Sequence, residues 1–243
     1  MGLFSSLAGA ISSVGSAICS GISSVCSAVG GALFTGSGGI AALATAIIGP
    51  VVASPEVALI MVAIQAVASI VCAIAESVGL KDKNETPEEL GVKAQQAEKK
   101  PEDFDSTQKY IEYLRNEVEL DKKQIEKLSQ EEKAGYAAVG TSLYIKGIEE
   151  QYGIKAPGEF WRTAADLELG SEDVKKYMET FKEHGIKDMA DMNDYLKGFA
   201  PASGVQPRQV SDCIIEGLKK IYPEMGEEGL YEKLNEMSLK VSQ

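Results

Sequence analysis

The chain has 243 residues, with 24 Lys and Arg against 36 Asp and Glu, one His, and a formal charge of −12. That length suits one or two domains. The acidic balance argues against direct nucleic-acid binding, which needs clustered Lys and Arg, and against anchoring by anionic lipid headgroups. A single His excludes a two-His metal site and weakens most acid–base schemes.

The composition breaks at residue 80. Residues 1–80 carry only Glu56 and Glu76 as formal charges, and every Lys, Arg, Tyr, Trp and His lies beyond them. The mean hydropathy of −0.07 therefore averages two chemically different parts.

The first part opens on an eleven-residue apolar repeat with 4-4-3 spacing. Its teeth are Leu3, Leu7, Ile11, Val14, Ile18, Ile22, Val25, Val29 and Leu33. Three turns per eleven residues is close to the α-helical period, so these side chains form one nearly straight stripe. Between them stand Ser, Gly, Ala and Cys, with Phe4 the exception. Small residues also recur every fourth position, at Ser12, Ser16, Ser20, Ser24 and Ala28, a pattern that lets helix backbones approach closely. A helix over 3–33 would reach about 46 Å, longer than a ~30 Å hydrocarbon core. It suits a bilayer surface or the wall of an oligomer; burial inside a soluble helical fold is the plainer alternative. The opening Met1-Gly2-Leu3-Phe4-Ser5-Ser6 also fits the N-myristoylation pattern. With no Lys or Arg before residue 81, the start is a poor secretory signal, and export would need a dedicated machine or cell lysis.

Residues 35–39 (Thr-Gly-Ser-Gly-Gly) break the stripe without forming a phosphate loop, since GK[ST] is absent. A short helix is expected over 40–49. Pro50 stops it, and Ser54-Pro55-Glu56 starts the next, with Ser54 as cap and Pro55 in the first turn. Residues 57–75 have only Gln65 and Ser69 as polar interruptions, which is long enough to cross a bilayer. The pattern predicts a hairpin, 40–49 against 56–79, turned between Pro50 and Pro55.

Residues 81–105 read as a charged linker with a helix start at Thr86-Pro87-Glu88-Glu89 and a stop at Pro101. Helices are then expected over 106–128, from a Ser129/Glu132 capping box to Tyr152 and Gly153, and over about 157–169, 171–184, 188–199, 207–221 and 227–241. No run alternates with period two, so the expected class is all-α, with no sheet. The parts are an apolar membrane or assembly module, 1–80, the linker, 81–105, and a soluble acidic helical domain, 106–243.

Polar residues give no catalytic constellation, and no cofactor or small-molecule substrate is expected. His184 before Gly185 reads as a helix-end residue. Glu149-Glu150 and Asp188, Asp191 and Asp194 read as solvated faces, because the calcium-loop pattern is missing. Phe160-Trp161 reads as core. Cys19, Cys26, Cys72 and Cys213 have no ligand spacing and read as small packing residues of a chain made in a reducing compartment. No shared motif identifies a family. The general plan resembles helical pore-forming proteins, with a charged helical domain attached to an apolar hairpin. It also resembles phage ejection or pilot proteins, which begin with Gly/Ala-rich apolar helices. The resemblance implies no functional residues. The expected function is non-enzymatic: a membrane-associated, membrane-inserting homo-oligomer, whose partner is the lipid bilayer, with a self-assembling conduit or filament subunit as the alternative.

Overall fold

The computed structural model describes residues 57–242. Among them the chain is all-helical. The one β feature is an isolated bridge between Lys155 and Asp188. The chain divides after Glu150 into two compact units.

In the first unit, α1 (Val57–Ser77) is followed by a strap, residues 78–86. Its end is closed by Leu80 N–H donating to Ala75 O at 2.8 Å, across Gly79 with φ +77°. The expected start at Thr86 holds. The Thr86 hydroxyl accepts from Glu89 N–H and the Glu89 carboxylate accepts from Thr86 N–H, both at 3.2 Å, opening α2 (Pro87–Gln96). Leu90, Val92 and Ala94 are buried. The stretch 81–105, expected as a charged linker with a helix start at Thr86, carries that helix, docked by three apolar residues, while about half of its positions stay exposed. After a 3₁₀ turn (Pro101–Asp103) comes α3 (Thr107–Glu117), capped by Ser106, whose hydroxyl accepts from Lys109 N–H. The expected helix 106–128 is broken at Val118. Asp121 takes Lys123 N–H at 3.0 Å and starts a separate short helix, α4 (Lys122–Lys127). The Ser129/Glu132 capping box forms both of its bonds, at 3.1 and 2.8 Å. It opens α5 (Gln130–Tyr152), closed by Gly153 in the left-handed region.

Glycine sets how closely α2 and α5 approach. A Cβ built on Gly140 would lie 2.0 Å from the Pro87 carbonyl oxygen, and one on Gly91 would lie 2.1 Å from that of Tyr136. Here backbone meets backbone, which only a residue without a side chain permits. One helical face further along α5, Leu80 seats its methyls against Gly147. The buried residues of this unit include Val71, Ile74, Leu90, Tyr110, Leu114, Leu143, Tyr144 and Ile148.

The second unit holds α6 (Gly158–Asp166), α7 (Ser171–Glu183), α8 (Ala190–Leu196), α9 (Pro207–Ile221) and α10 (Glu227–Val241), close to the expected bounds. Helix α9 packs on α7, α8 and α10, and α8 packs on α6. Phe160 and Trp161 are fully buried with rings edge to face, 5.4 Å apart, as expected of core residues. Trp161 Nε1–H also donates to Ala156 O at 2.8 Å.

Candidate functional site

The predicted stripe Leu3–Leu33, the small-residue row Ser12–Ala28, the first hairpin helix and the turn residues Pro50 and Pro55 all lie outside the described residues. What the structure does place is the far arm of the expected hairpin, α1. From Ile64 onward its side chains show a two-faced helix. Ile64, Val67, Val71, Ile74 and Ala75 are buried, while Gln65, Ala66, Ser69 and Ala73 are exposed. Spacing of three and four puts the buried set on one face. Among the described residues, no helix is long and apolar enough to cross a membrane. The crossing expected over 57–75 is therefore not shown. From Ile64 onward the bulky face of this helix is covered by protein.

A polar clasp holds the strap behind α1. Arg115, one turn after Ile111 on α3, reaches across to it. One guanidinium nitrogen, Nη2, donates to Leu80 O at 2.8 Å and to Glu85 Oε2 at 2.9 Å, and Nε lies 3.2 Å from Asp82 Oδ2. From α5, the Tyr144 hydroxyl donates to the same Glu85 oxygen at 2.8 Å. Partial burial works against the Arg115 charge, but the bond to Glu85 and the charges of Glu85 and Asp82 more than offset it, leaving its pKa above the ordinary range. Burial, then the Glu85 carboxylate, push the Tyr144 hydroxyl far above the usual tyrosine range, so it stays a donor. Lys81 pairs at 3.5 Å with Glu76 in the last turn of α1. The arrangement binds strap to body; it brings together no nucleophile with a base.

The acidic residues act as structural acceptors. Glu150 accepts from Thr107 N–H at 2.9 Å and from its hydroxyl at 2.6 Å, tying the end of α5 to the start of α3. Asp191, expected on a solvated face, is fully buried, because Ser203 comes back from the next loop and donates its hydroxyl to it at 2.5 Å. Asp188 and Asp194 accept the N–H groups of Ala190 and Ala202. No group of three or more His, Cys, Asp or Glu among the described residues could hold a metal ion. Cys72 is half-buried and Cys213 buried, both as free thiols.

His184 stands at the C-cap of α7 as expected, and adds a partner the sequence did not suggest: its Nε2 lies 2.7 Å from Glu216 Oε2 on α9. That contact, helped by the charge of Lys220, holds the Glu216 carboxyl below the ordinary glutamate range. A depressed carboxylate contributes stability above its unfolded pKa and loses it as pH falls through the folded value. His184→Phe should therefore return Glu216 towards ordinary glutamate titration, read by NMR of its side-chain carboxyl. The site is solvent-exposed, so the change in overall stability at neutral pH should stay below about 1 kcal/mol.

An open cavity of about 220 Å³ lies in the second unit, with Tyr177, Leu218 and Met237 among its lining and Glu168, Lys233 and Lys240 at charged positions around it. Glu168 holds φ +57° there. Lys233 pairs with Glu236 at 3.0 Å, and Lys240 approaches Glu168 at 4.0 Å.

No protein-family model matches the chain, and neither the curated proteins nor the solved structures contain a match to it. The clasp was the feature missed in the sequence. Its one signal was Arg115 itself, a charged residue on the same helical face as Thr107 and Ile111.

Proposed function

We propose that the chain is a non-enzymatic, membrane-inserting and oligomerising helical protein of the secreted or injected pore-forming type. The observation that carries this reading is the continuity of an uncharged sequence into a two-faced helix. Residues 1–55 hold no charge at all, and they lead into α1, whose exposed face from Ile64 to Ala73 is Gln, Ala and Ser, also without charge. A water-facing helix surface normally carries charges. The Leu3–Leu33 stripe adds a surface that needs lipid or a neighbour, and the small-residue row from Ser12 to Ala28 supports homotypic helix packing. That row also favours the second reading, a self-assembling conduit or filament subunit.

Ala66→Lys separates the two. Ala66 is exposed on the docked helix, so a lysine there leaves the fold intact. In a bilayer the same charge costs about 2.5–3.5 kcal/mol at the centre of a spanning helix. Full-length protein is expected to float with phosphatidylcholine vesicles and to resist carbonate extraction. Ala66→Lys should keep its helical circular dichroism and remain unbound. Equal flotation of the variant, or no flotation of the parent together with large ordered particles formed without lipid, moves the conclusion to assembly.

A further inference from the structure

We infer that the Arg115 clasp is a catch: it keeps α1 docked, and its opening lets α1 swing out on the strap, residues 78–86, and uncover Ile64, Val67, Val71 and Ile74 together. The inference rests on the reading of α1 as an element that enters a membrane, and supplies the step that reading lacks, since the bulky face of α1 is covered by protein.

The geometry supports a local opening. From Gly79 to Glu85 the strap's backbone bonds run back to α1 or within the strap: Gly79 N–H to Glu76 O, Leu80 and Lys81 N–H to Ala75 O, and Glu85 N–H to Asp82 O, while Thr86 is bonded into α2 and stays with it. These bonds travel with α1 when it moves. The polar ties from the strap to the helices behind it converge on Arg115, which holds Leu80 O, Asp82 and Glu85 at once, with Tyr144 as a second hand on Glu85. The side chains of Arg115 and Glu85 are 20% and 10% exposed, so losing Arg115 leaves the Glu85 carboxylate largely buried with the Tyr144 hydroxyl on it but no cation, which drives the strap towards water. Among the described residues nothing comparable pins α1 from its outer side, where Ala66, Ser69 and Ala73 are exposed and small. Lipid tails can cover the apolar face of α1 once it leaves the body, so the catch sets how readily that exchange begins.

Cys72 lies within α1 and is half-buried in the docked state; Cys213 is buried in the other unit and serves as internal control. The experiment measures alkylation of each by peptide mapping in the full-length chain, alongside flotation on phosphatidylcholine vesicles. Arg115→Met, which keeps the stem and removes the charge, should raise the Cys72 rate at least tenfold and leave the Cys213 rate unchanged. Tyr144→Phe, which removes one bond and keeps the ring, should raise Cys72 several-fold. If both variants alkylate Cys72 at the parent rate, the catch is overturned. If Arg115→Met raises both cysteines and loses helical signal, Tyr144→Phe decides: a selective rise at Cys72 supports the catch, and none overturns it. A selective rise at Cys72 without any gain in flotation supports the catch and removes the membrane reading instead.

Discussion

Trp161→Ala is expected to cost the second unit about 3–5 kcal/mol. The indole is fully buried, its edge meets Phe160, and its N–H satisfies the carbonyl of Ala156. Truncation leaves a cavity among neighbours that cannot all collapse, and it removes the indole's hydrogen bond to Ala156 O, worth about 1 kcal/mol more. Single units of this size commonly have only ~5–15 kcal/mol in hand. The variant should therefore show its second unit unfolding far earlier in urea, followed by circular dichroism. In the parent, Trp161 is the chain's one tryptophan, so its fluorescence reports that unit alone. A loss below about 1 kcal/mol would mean that the 161 pocket closes freely, contrary to its close packing.

Gly140→Ala should destabilise the first unit by about 1–3 kcal/mol, although the exchange favours an isolated helix by ~1 kcal/mol. The added methyl would stand 2.0 Å from the Pro87 oxygen and 2.8 Å from its carbon, so two backbones would have to part. Gly147→Ala is the matched control. Its methyl would meet Leu80 Cδ1 at 2.9 Å, the far end of a side chain that can turn aside. Helix propensity should then bring the net effect to within about 1 kcal/mol of zero. Urea unfolding of both full-length variants tests the pair. Equal effects at 140 and 147 would show that the backbone contact yields.

The helix boundaries were legible because capping is local chemistry. Thr86 with Glu89 and Ser129 with Glu132 each sit three residues from the group they satisfy, and the structure forms those bonds, while Gly153 takes the left-handed φ of +66° that ends a helix. The break after Val118 was not legible, since Val118, Ile125 and Leu128 keep helical spacing straight through it. The backbone turns extended at Val118, and Asp121 then bonds Lys123 N–H to open a new helix. Distance along the chain decided the rest. Arg115 finds Glu85 thirty positions away, Glu150 finds Thr107 across forty-three, and Asp191 is buried by Ser203 twelve residues on. Side-chain periodicity records which face a helix hides but not which residue will meet it. Trp161 was readable as core because a large apolar ring has few other places to go. Asp191 read as solvent-facing because nothing adjacent in sequence offered it a partner.

The glycine contacts between α2 and α5 also fix alignment. Sliding α2 along α5 by one residue would bring Leu90 or Val92 to the place where Gly91 meets the Tyr136 carbonyl, and would set Pro87 against Val139 or Thr141 in place of Gly140. Each such shift drives a side chain into a peptide group. An interface of interdigitated leucines can trade one pairing for a neighbouring one at modest cost; this one has a single permitted register. The first unit is therefore keyed rather than merely greased together, and the position of Leu80, and of the strap that carries it, is set by that key.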